Sequence, residues 1–120
     1  MKYMLLIYNN PATYAAWSEE QRNAMFGEVG AIMKELTESG ELVGGEALAD
    51  ASTARTVRVR GGVQTATDGP FAEAKEQLAG YLTVECDSIE RAVEIAGRWP
   101  DARHFAMEVR AVMDTSGAEM

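Results

Sequence analysis

The run Lys2 to Tyr8, KYMLLIY, constrains the fold more than any other stretch. It is rich in strand-forming apolar and aromatic residues, and Asn9-Asn10-Pro11 stops it, so it reads as a β-strand and its end. Met4, Leu6 and Tyr8 point to one side of that strand and Leu5 and Ile7 to the other. Neither side is polar. The strand must therefore be covered on both faces, and the rest of the chain has to supply the covers.

One cover is a pair of helices. Ser18 opens the first, with Gln21 three residues on as the return half of a capping box, and Met25, Val29, Ile32, Met33 and Leu36 follow at helical spacing. That stripe predicts core packing against a sheet, with Gly40 at the helix end. Asp87 or Ser88 caps a second helix carrying Ile89, Ala92, Val93 and Ala96, with Pro100 beyond it. Between the helices, Glu41 to Leu48 reads as a strand broken by Gly44-Gly45. Arg55 to Arg60 and Val63 to Thr67, joined by Gly61-Gly62, read as a hairpin, and Leu78 to Cys86 as another strand. His104 to Met113 alternates as a final strand. The order is βαβ, hairpin, βαβ: an α+β, ferredoxin-like sandwich with an added hairpin, one domain over residues 1–113 and a flexible tail over 114–120. Two helices cover only one sheet face. The simplest cover for the other is the same face of a second copy, which predicts a homodimer with a cleft between the sheets.

A formal charge of −8 opposes contact with a phosphate backbone, so nucleic acid is not an expected partner, nor is an anionic membrane. The opening apolar run is too short to span a bilayer and has no secretory cleavage pattern, so a cytoplasmic location is expected. Cys86 is the single cysteine and reads as a buried thiol. No phosphate loop, nucleotide fingerprint or metal-spaced His and Cys set occurs, so no cofactor or metal is expected.

Five segments, MKYMLLIY, LVGGEAL, TVRVRGG, DGPFAEAKEQLAGYLTVE and MEVR, together resemble the DGPF branch of the YCII-related family. The resemblance implies a bacterial, dimeric α/β barrel of largely unassigned activity, with some relatives fused to or encoded beside extracytoplasmic-function (ECF) sigma factors. The other branch of the family is thought to use a His and Asp pair. His104, the only histidine here, lies outside the motifs, and Ala111 stands where relatives have a proline after the arginine.

The densest chemistry lies in DGPFAEAKE. Asp68-Gly69-Pro70 is turn chemistry leading into a short helix, on which Glu73, Lys75 and Glu76 would share one mouth with Asp68. A carboxylate beside an ammonium suits proton transfer: Asp68 as acid or base, Lys75 as the stabiliser of developing negative charge, Glu73 as a ligand contact. Arg58 and Arg60 share a strand face, and Arg110 is expected on a neighbouring strand of the same sheet, where the guanidinium groups would orient an anionic ligand. Tyr8, Phe71 and Tyr81 would wall the pocket. Trp17 reads as a staple on the first helix, and His104 as structural. The two functional readings are cofactor-independent acid–base chemistry on a small polar or anionic metabolite, and a non-catalytic ligand-binding module or sigma-factor partner.

Overall fold

A computed structural model describes residues 1–72 and 74–120. Along the chain run β1 (Lys2–Asn9), α1 (Pro11–Ala16), α2 (Glu19–Glu38), β2 (Leu42–Ala47), a 3₁₀ turn at Ala51–Thr53, β3 (Arg55–Arg60), β4 (Val63–Asp68), β5 (Gln77–Glu85), α3 (Ile89–Arg98), α4 (Pro100–His104) and β6 (Ala106–Ala111). Four strands form one antiparallel sheet in the order β2-β5-β1-β6. This is the ferredoxin-like order, and it puts the strand that needs two covers in the interior of the sheet.

Register explains the two faces of β1. Leu5 stands opposite Leu82 on β5 and Val109 on β6, and this side meets the helices. Tyr3, Leu5, Leu82 and Val84 are buried there against Ile32, Leu36, Ala92, Ile95 and Trp99. Burial of Leu5, Leu36 and Ile95, all fully inaccessible, stabilises each by about 1.5–3 kcal/mol relative to exposure. On the opposite face Met4, Leu6 and Tyr8 are only half-buried, beside Tyr81 and Thr83. None of the helices among the described residues covers this side.

The helix starts follow their caps. Ser18 and Gln21 make the reciprocal capping box, and Ser88 accepts from the Arg91 N–H at the start of α3. Asn10, expected only to stop β1, also caps α1 by accepting from Ala12 and Thr13, with Pro11 in the first turn. The α2 stripe is buried only in its second half, at Ile32 and Leu36. Met33 is 37% exposed, and Met25 and Val29 stand partly clear of the sheet. Core packing of the whole stripe is therefore corrected to packing of its C-terminal half.

The hairpin departs from expectation more. β3 and β4 pair with each other in a separate two-stranded sheet, turned by Gly61 and Gly62 at φ +57 and +78. Val57, Val59 and Val63 are each more than half exposed. The arm gives the molecule a flat outline of 49 × 46 × 18 Å and a radius of gyration of 16.4 Å, above the roughly 14 Å of a compact chain this long. Residues 114–120, expected as a flexible tail, turn back on the body: Met113 bridges Glu119, the Met120 N–H donates to Val112 O, and the Asp114 carboxylate accepts from Ser116 and Ala118. No helix among the described residues is long and apolar enough to cross a membrane.

Candidate functional site

Asp68 ends β4, and Gly69 turns the chain at φ +95, a conformation that only glycine adopts freely. The turn is closed by the Gly69 N–H donating to Ala54 O and by Thr56 Oγ1 donating to Gly69 O at 2.8 Å. The Asp68 carboxylate pairs with Arg55, its cross-strand neighbour, at 3.1 Å, and both side chains are largely in solvent. Such an exposed pair contributes little, about 0–1 kcal/mol. After Pro70 the described residues bend without forming a helix, so the expected helical mouth is corrected. Gln77 ties this bend down by donating to Ala72 O and Ala74 O. Glu73 lies outside the described residues.

The bend carries Lys75 and Glu76 to the end of β1, where they line an open hollow of about 760 Å³ with Tyr8, Asn10, Met107 and Glu108. Tyr8 Oη donates to Glu108 Oε1 at 3.4 Å, a long and weak hydrogen bond. Partial burial, followed by the charge and the hydrogen bond of Glu108, pushes the Tyr8 phenol above its ordinary value, while Arg110 opposes the shift. The phenol is thus held protonated beside a carboxylate, with an ammonium on the same hollow.

Of the residues singled out from sequence, the hollow gathers Tyr8, Lys75 and Glu76. Tyr81 lies further along the sheet, opposite Leu6. Phe71 is 75% exposed and carries the Arg58 guanidinium 5.1 Å from its ring centre, a cation–π contact on the arm. Arg58 and Arg60 sit in the two-stranded sheet and Arg110 on the outer strand β6 of the other, so the three arginines expected on one sheet are on two. Trp17 packs on His104 at 5.0 Å and on Phe105 at 5.6 Å, and His104 belongs to α4. Among the described residues, no three His, Cys, Asp or Glu side chains are grouped to hold a metal ion.

Sequence reasoning missed Asn10 and Glu108. The signal for Glu108 was present in MEVR, where alternation puts Glu108 and Arg110 on one face, opposite the apolar Met107 and Val109. Its position beside Tyr8 comes only from the β1–β6 register, which sets Leu6 against Glu108 and Tyr8 against Ala106.

Comparison with known proteins gives two findings. A family model, the YCII-related domain, matches residues 1–116. An uncharacterized protein of Rhizobium meliloti (strain 1021) is 34% identical over 96 residues, covering 80% of this chain and 77% of that protein.

Proposed function

The chain belongs to the YCII-related domain family, and from that premise we propose that it works as a homodimer, with the hollow at the end of β1 handling a small polar metabolite by cofactor-independent acid–base chemistry. The observation that carries the chemistry is the meeting of Tyr8, Glu108 and Lys75 around one hollow. In this reading Glu108 accepts a proton from the substrate, Tyr8, kept protonated, donates a hydrogen bond to it, and Lys75 stabilises the negative charge that develops. Asp68, exposed and paired with Arg55, supports the loop that presents Lys75. Binding to a panel of small metabolites, followed as a rise in melting temperature, is the first test. Lys75→Met and Glu108→Gln should each weaken binding of a hit by about 10-fold while leaving the unliganded melting temperature within a degree or two. A hit bound equally well by both variants would move the site elsewhere.

The dimer is supported by the half-buried Met4, Leu6 and Tyr8 on a face that no helix covers. Light scattering should give about twice the chain mass of 13.0 kDa. Leu6→Arg, which sets a charge in the middle of that face, should return the mass to one chain with the fold intact. A wild-type monomer at micromolar concentration would end the proposal.

A second reading is a non-catalytic partner of an ECF sigma factor. It is favoured by the exposed arm, where Val57 and Val59 stand in solvent on one face.

A further inference from the structure

The helix side of the sheet holds a second cavity, independent of the proposed function. Because α2 is seated only through its C-terminal half, its N-terminal half stands off β2 and β5 and leaves a space of about 420 Å³. Met25, Phe26, Val29 and Met33 form the helix wall, and Trp99 and Asp101 lie at the far side. Phe26 is 60% exposed, a large aromatic ring at the rim of an apolar space.

Asp101 is the anomaly in this cavity. It is 7% exposed, the only buried charged residue among those described. Among the described residues its carboxylate has no side-chain partner; its own backbone N–H provides its one hydrogen bond, and His104 acts on it only through charge. Burial pushes its carboxyl above the usual range, with that N–H and His104 pulling the other way. A buried carboxylate without a cationic partner is costly, and a cationic ligand would offset that cost. Glu46, whose side chain shares the opposite face of the sheet with Tyr81 and Leu6, borders the cavity from β2, and among the described residues the lining contains no Lys, Arg or His. The walls are apolar and aromatic, and the charge inside is negative only.

We propose that this cavity binds a small primary amine with an apolar or aromatic body, the ammonium group hydrogen-bonded to the Asp101 carboxylate and the body lying between α2 and Trp99. Chain length and ring number are set by the volume, which admits one phenyl ring and a short linker with room to spare. An ammonium satisfies Asp101 with a charge-assisted hydrogen bond, whereas an alcohol gives only a neutral donor and a carboxylate repels. The net charge of −8 favours entry of a cation.

The test is calorimetric titration of the intact chain with three matched compounds, 2-phenylethylamine, 2-phenylethanol and 3-phenylpropanoate, with the Trp99 indole N–H followed by NMR. The amine is expected to bind, to shift the Trp99 signal, and to outbind the alcohol by at least about 10-fold, with no binding of the carboxylate. Asp101→Asn, nearly isosteric, is expected to cut amine affinity by about 10-fold or more and to leave the alcohol within about twofold. Glu46→Gln serves as the second variant and is expected to keep most of the amine affinity. The proposal is overturned if the alcohol or the carboxylate binds as well as the amine, if no compound shifts Trp99 at millimolar concentration, or if Glu46→Gln rather than Asp101→Asn removes the preference for the amine. Should Asp101→Asn fail to fold, the three-compound ranking on the wild-type chain decides alone.

Discussion

Leu5→Ala should destabilise the folded chain by roughly 2–5 kcal/mol, the range for emptying a well-packed aliphatic site. Leu5 is fully inaccessible and lies on the interior strand β1, flanked in register by Leu82 and Val109 and packed in the cluster that includes Leu36 and Ile95. Removing three carbons there leaves a cavity that strands held from both sides cannot collapse into. Leu6→Ala, one residue along but on the uncovered face, is the internal control and should cost much less in a monomeric background. Denaturant midpoints measured at a single protein concentration separate the two, because association itself adds concentration-dependent stability. Equal losses at both positions would show that the helix side is not the principal core.

The second large effect is expected at Glu41 and Arg91. The guanidinium meets the carboxylate twice at 2.8 Å, joining the residue before β2 to α3, with Ser39 adding a hydrogen bond to Glu41 and Glu94 a second carboxylate for Arg91. The Arg91 hydrogen bonds hold the Glu41 carboxyl down at about 2, from an ordinary 4.5, against the opposing effect of burial. By linkage such a fall is worth roughly 3 kcal/mol. Arg91 keeps 32% of its side chain in solvent, and screening reduces this to about 2 kcal/mol. Because the folded value lies below the unfolded one, the stabilisation is complete above pH 4.5 and is lost as pH falls toward 2. Arg91→Met should therefore be about 2 kcal/mol less stable than wild type at pH 7, and the gap should close on acidification. A gap that stays constant from pH 7 to pH 2 would assign the loss to packing of the arginine stem.

Much of the fold was legible because its signals are local. Ser18 with Gln21, the Gly61-Gly62 turn and the two-faced β1 each act within a few residues, and each formed as read. What escaped depends on partners distant in sequence. The pattern of Arg55 to Asp68 defines a hairpin but not the sheet it joins, so Arg58 and Arg110 ended on different sheets. Asn10-Pro11 carries two meanings, stop and N-cap, and only the chain's return path selects the second. The α2 stripe gives the direction of its apolar face and not how closely it seats. Lys75 drew notice through its neighbours in sequence, yet its company in space is Tyr8 and Glu108, set by strand register. Asp101 had no signal at all, since an aspartate after a proline at a helix start is ordinarily solvated.

The close approach of β2 and β5 limits how the helix-side cavity can change over evolutionary time. A Cβ on Gly45 would come within 2.6 Å of the Tyr81 carbonyl, and one on Gly80 within 2.7 Å of the Glu46 carbonyl. These neighbours are backbone, and backbone cannot yield as a flexible side chain does. The sheet wall is closed to drift at both glycines, while Phe26 and Met33 on the opposite wall stand partly in solvent and carry little of the core. Descendants of this chain are free to alter what the cavity accepts by changing α2 alone, with the scaffold that holds Asp101 left as it is.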